Sequence, residues 1–167
     1  MKVITAPEPL SQSTEPTVFL AGGITDCQWW QDDIIAMLAN YEGIIYNPRR
    51  RDFPMDDPNA AEEQIAWEFN ALNEASIFSI WFCSGPSDQP ICQYELGRHL
   101  ERFTTQKKQY GRVIIGVEPG YKRAQDVEIQ TRLVSPLIAD KISSTLEEHA
   151  ANIAKALESI QHPGKGL

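Results

Sequence analysis

"ASIFSIWFCSGPSDQPICQYELGRHL", residues 75–100, is the stretch whose reading decides the fold. Its first eight residues form an apolar run of β-branched and aromatic side chains, as expected of a strand covered on both faces. "SGPSDQP" (84–90) interrupts that run with turn-forming residues, and "ICQYELGRHL" (91–100) resumes with helical spacing. At about 100° per residue, Cys92, Leu96, His99, Leu100 and Phe103 share one face, and Glu95 lies roughly 80° from its centre. A carboxylate therefore sits at the boundary between core and cleft. Gly97 follows it at a cost of about 1 kcal/mol in helix propensity, which predicts a close-packing reason for a glycine there.

The same strand, loop and helix succession recurs along the chain. "TVFLAG" (17–22), "GIIYNP" (43–48) and "RVIIGVE" (112–118) read as further strands, with "KVITAP" or "ADKIS" as a weak edge. "TDCQ" (25–28) has the form of a capping box opening "QWWQDDIIAMLANY". "DDPNAAEE" offers Asp57 as N-cap and Pro58 as the first residue of a helix running to about Asn73. A short helix is predicted over "QDVEIQTRL", and "STLE" (144–147) is a capping box for "LEEHAANIAKALESI". Alternation of this kind predicts an α/β protein with a mainly parallel, about five-stranded sheet and helices on both faces. One domain over 1–167 is expected, with 1–16 and 162–167 loosely ordered because of their Pro, Ser, Thr and Gly content.

Composition narrows the function. With 23 acidic and 15 basic residues the formal charge is −8, which argues against binding a nucleic-acid polymer and suits small-molecule work. Three cysteines without CxxC spacing (Cys27, Cys83, Cys92) read as reduced thiols, and three scattered histidines give no metal cluster. No apolar run approaches the roughly 20 residues that span a bilayer, and the N-terminal stretch lacks an apolar signal core, so a cytoplasmic protein with no membrane partner is expected.

In a sheet of this type ligands lie beyond the carboxyl ends of the strands. "GGITDCQWW" brings Gly22, Gly23 and Ile24 to a strand-to-helix turn where backbone N–H groups can approach a ligand, although a tight turn explains the glycines equally well. One of Trp29 and Trp30 could offer an aromatic face, the other packing inward. "NPRRRDF" carries Asn47 and Arg49 to a strand end, where the arginines either hold a polar ligand or pair with neighbouring acids. Glu68 lies inside the apolar pattern of "QIAWEFNALNEA". For Glu95 the plain alternative is an ion pair with His99 or Arg98. As a working carboxylate, kept ionised in part by the helix dipole, it could be a base, a metal ligand or a nucleophile. The nucleophile suits glycosyl transfer, which needs no cofactor.

The order "VFLAGGIT", "NPRRRDFP", "QIAWEFNAL", "ASIFSIWF" and "PICQYELGRHL" resembles the nucleoside 2-deoxyribosyltransferases, especially their deoxyribosyltransferase-like branch, over about residues 17–135. The resemblance implies a flavodoxin-like fold in which the glutamate of the "ELG" motif, here Glu95, attacks C1′ of a deoxynucleoside. It releases the base and passes the sugar to another base. It further implies Glu68 as the acid that handles the proton on the base, Asp88 as a sugar ligand, and Gly22, Gly23, Ile24, Trp30, Asn47 and Arg49 around the base. Nucleoside and nucleobase are then the small-molecule partners, and a dimer-based homo-oligomer is implied. Phe19 stands where the better-known members carry tyrosine, and Glu68 where they commonly carry aspartate. Two other outcomes keep the same site: hydrolysis of (deoxy)nucleosides or their 5′-monophosphates, and nucleotide binding without catalysis.

Overall fold

The computed structural model describes residues 1–105 and 112–162. Five strands form one all-parallel sheet: β1 (Lys2–Thr5), β2 (Thr17–Gly22), β3 (Ile44–Asn47), β4 (Ile77–Phe82) and β5 (Arg112–Val117), in the order β1-β3-β2-β4-β5. The helices are α1 (Trp30–Met37), α2 (Ala60–Glu74), α3 (Pro90–Thr105), α4 (Ala124–Val134), the short α5 (Pro136–Ala139) and α6 (Leu146–Gln161). This is an α/β fold of the flavodoxin-like, three-layer kind. Of the two edge candidates "KVITAP" provides β1, which pairs with β3 from Lys2↔Ile44 to Thr5↔Asn47. "ADKIS" contributes only a single bridge, Gly116↔Ser143, beside β5. Part of the N-terminal stretch expected to be loose is therefore held in the sheet, and the Met1 ammonium donates to the carbonyls of Ala39 and Tyr41. Of the loose end predicted at 162–167, residues 163–167 lie outside the described residues, as does the side chain of Phe103.

Two-residue alternation splits each central strand between two cores. Phe19, Ala21, Phe78, Ile80 and Phe82 face the layer that contains Trp67, Ala71, Leu96 and Leu100. Val18, Leu20, Ile77 and Trp81 face Trp30, Ile34, Ile153 and Leu157. Every residue of β4 is buried, which explains its unbroken apolar run.

Several helix starts differ from their sequence signatures. The box at Thr25–Gln28 does not form: α1 begins at Trp30 with no side-chain cap, and Asp26 takes a left-handed φ of 57° in an irregular loop. Tertiary contacts to that loop, described below, outweigh the local capping preference. At α2 the N-cap is Asn59, while Asp57 accepts from the Asn59 N–H two residues on. The C-terminal box is shifted by one residue: Thr145 accepts from Glu148 N, and the Glu148 carboxylate accepts from Ser144 N.

The cysteine expectation is corrected. Cys27 and Cys83 form a disulfide, with Cα atoms 6.1 Å apart, and only Cys92 is a free thiol. Fifty-six residues separate the two in sequence, so no short motif signalled the pair.

Candidate active site

In this strand order β2 lies between β3 and β4: the chain runs from β2 to β3 on one side and then crosses to β4 on the other. The crevice beyond the carboxyl ends of β2 and β4 is therefore the expected ligand position. A cleft of about 210 Å³ opens there. Phe19, Ala21 and Gly22 of β2 form part of its wall, together with Gly23, Ile24 and Thr25 of the following loop. Pro48 follows β3, Glu68 comes from α2, Ser87 and Gln89 from the loop after β4, and Ile91, Cys92 and Glu95 from α3.

Glu68 and Glu95, on different helices, thus converge on one space. Burial pushes the Glu95 carboxyl up to about 7, the negative charge of Glu68 adds to the rise, and Arg98 opposes it. Burial also raises Glu68, while a 2.8 Å hydrogen bond from Gln64 Nε2 works in the other direction. The contribution of the helix dipole at Glu95 is outweighed by loss of water. The ion-pair alternative is not formed. Arg98 donates to Asn73 Oδ1 at 3.2 Å and lies over the Phe69 ring. His99 is buried, stacked on Phe78 at 4.4 Å and lowered to about 4, chiefly by burial and then by Arg102 and Arg98, so it is neutral near pH 7.

Gly22 and Gly23 have steric reasons to be glycine. A Cβ at Gly22, whose φ is +147°, would lie 2.3 Å from the Trp81 carbonyl, and one at Gly23 would meet both disulfide sulfurs and Gln89. Close approach of chain to chain fixes both positions, and at Gly22 the positive φ adds a backbone reason. Gly97 is the reverse case, because a Cβ there meets nothing within 4 Å. The expected close packing is absent.

Four residues predicted to contact ligand lie outside the cleft lining. Trp30 is 2% exposed and packs in the core, donating from Nε1 to the Gly23 carbonyl at 2.9 Å. Arg49 is buried, and its guanidinium donates to the carbonyls of Gln28, Ile24 (3.2 Å) and Cys27 (2.9 Å) and to Gln31 Oε1 (3.1 Å). Asn47 is buried and its Oδ1 accepts from Arg49 N. These polar groups at the end of β3 are consumed in bracing the loop that carries Gly23 and Ile24. Asp88 is exposed, and its carbonyl accepts from Tyr121 Oη and Gln93 Nε2.

Gln89 reaches the cleft instead. It is 5% exposed, donates from Nε2 to the Cys83 carbonyl at 2.6 Å, and has a buried Oε1 with no hydrogen-bond partner among the described residues. Its signal in the sequence was Pro90: a proline at the first helical position marks the preceding residue as the one at the helix mouth. Neither nearby tyrosine supplies a hydroxyl in place of the one absent at Phe19. Tyr46 is buried against Trp67, and Tyr94 is 70% exposed outside the lining.

The fold and cleft define a flavodoxin-like α/β protein with a pair of carboxyl groups at its switch point. The chain belongs to the nucleoside 2-deoxyribosyltransferase-like family, whose sequence model matches residues 15–121. That span runs from the start of β2 past the end of β5 and contains every residue that lines the cleft. No curated protein matches the chain. No helix among the described residues is long and apolar enough to cross a membrane.

Proposed function

We propose that the protein is a nucleoside 2-deoxyribosyltransferase in which Glu95 is the nucleophile and Glu68 the proton carrier. The observation that supports it is the convergence of these two carboxyls on one cleft, with no cation paired to Glu95 among the described residues. Glu95 attacks C1′ of the deoxynucleoside while the C1′–N bond breaks, and Glu68 protonates the departing base. This leaves a glycosyl ester on Glu95. A nitrogen of the incoming base then attacks C1′, Glu68 takes the proton it loses, and the Glu95 carboxylate departs. Two inversions give net retention. The apolar walls, Phe19 and Ile91 among them, suit a sugar and base better than a charged group. Because Arg49 is engaged with the loop, a 5′-phosphate finds no arginine in the cleft lining among the described residues, which favours nucleosides over their monophosphates.

The test is incubation with a deoxynucleoside, with and without a second free base, read by chromatography. Exchange that depends on the acceptor supports transfer, and release of base without it supports hydrolysis. Glu95→Gln is expected to lower exchange by at least about 10³-fold, the scale lost when a nucleophile is removed. Wild-type turnover in that variant would end Glu95's role.

A further inference from the structure

The two loops that flank the cleft are joined by a covalent bond. Cys27 lies in the loop after β2 and Cys83 directly follows β4, so their bridge spans the switch point. Both sulfurs pack on Gly23, a wall residue: a Cβ there would be 2.5 Å from Cys83 Sγ and 2.6 Å from Cys27 Sγ. The Cys83 carbonyl also anchors Gln89, another residue of the lining. A change at this bond is therefore felt at two residues of the cleft lining, Gly23 and Gln89.

The two sulfurs differ in access. Cys27 is half-buried, whereas Cys83 is 3% exposed. An attacking thiolate reaches Cys27 first and expels Cys83. Cys83 Sγ lies 3.6 Å from the Gly23 carbonyl. A disulfide sulfur has no hydrogen to give that oxygen, but a reduced thiol does, so reduction replaces a covalent tie by a weak hydrogen bond. The remaining thiol does not compete, because burial, with the charge of Glu95, pushes Cys92 up to about 12.

We propose that Cys27–Cys83 is a thiol–disulfide exchange site for low-molecular-weight thiols, and that its redox state sets the shape of the cleft. A small thiolate attacks Cys27 Sγ, the S–S bond breaks, and Cys83 leaves as a thiolate that takes a proton from water. A second small thiolate attacks the outer sulfur of the mixed disulfide and releases Cys27, and the small disulfide carries away the oxidising equivalents. Oxidised small disulfide runs the sequence backward. Trp30 and Arg49 still hold the loop after reduction, so the release is confined to about residues 22–29. The effect on substrate rests on the cleft being the nucleoside site, whereas the exchange chemistry does not.

The full chain is equilibrated in reduced or oxidised glutathione and read in three ways: thiol count with intact mass, hydrogen exchange of 22–29, and KM for a deoxynucleoside in base exchange. Expected are one thiol when oxidised and three when reduced. Reduction should also speed exchange in 22–29 and raise KM several-fold. The double variant C27S/C83S should show one thiol and the reduced-state hydrogen exchange and KM in both buffers, and C83S should trap a glutathione adduct on Cys27. Three thiols persisting in oxidised glutathione, or equal exchange in the two states, overturn the proposal, and absence of the adduct overturns Cys27 as the attacked sulfur. If no base is released under any condition the proposed function fails, and thiol count and exchange still decide the switch.

Discussion

Glu95 titrates near neutrality because it is poorly hydrated and faces Glu68, so the cleft resists holding two negative charges. In the proposed mechanism the productive arrangement has the charge on Glu95 and the proton on Glu68. Ionisation of Glu95, at about 7, should therefore shape one limb of the kcat/KM profile. Glu68→Gln removes the second cause of that elevation but not the burial. The limb is expected to move to lower pH while staying above the ordinary carboxylate value, with turnover reduced because the leaving base loses its acid. A pH profile with an unmoved limb would show that the two groups do not interact. Gly97 gives a contrasting case two residues away. With open space at its Cβ position, Gly97→Ala should stabilise the protein by about 0.5–1 kcal/mol, read by urea denaturation. A loss of stability would mean that a partner surface occupies that space.

Among the elements, the loop between β2 and α1 is the one that local sequence describes least well. A capping box is worth about 1 kcal/mol, and here it competes with Arg49, the Trp30 indole and the disulfide, which act together on residues 23–28. The loop takes the shape that satisfies those long-range partners. Arg49→Ala leaves several acceptors without their donor and should cost about 2 kcal/mol or more in thermal or urea unfolding. A residue that only contacts substrate would raise KM and leave stability unchanged, so measuring both separates brace from ligand. α6 is secured differently, by Thr145 at its N-terminus and by His149, whose ring nitrogens lie 2.8 Å from Ser79 Oγ and 3.0 Å from Ser143 Oγ.

Across the whole molecule, the two buried histidines set the acid limit of the fold. Burial lowers His149 from 6.5 to about 3, and His99 falls to about 4, so the unfolded chain binds these protons at higher pH than the native one. Their contribution is complete above about 6.5 and is lost as pH falls toward 3, at up to about 1.4 kcal/mol per pH unit for each histidine. Replacing His149 by Gln should lower stability at pH 7 but flatten its decline below 6.5 by about one proton, measured by urea unfolding across pH. An unchanged slope would show that His149 is protonated in the folded state. The sequence by itself determined the layer architecture, the four main strands and the face of α3 that carries Glu95. Burial periodicity is a local property, and it runs unbroken through "ASIFSIWF" and "ICQYELGRHL". Only the tertiary structure decided that Glu68 and Glu95 share a cleft, that Gln89 rather than Asp88 faces it, that Arg49 and Trp30 brace its loop, and that Cys27 meets Cys83. Each of these joins segments far apart in the chain, and residue spacing carries no record of which distant groups will compete for the same donor, acceptor or space.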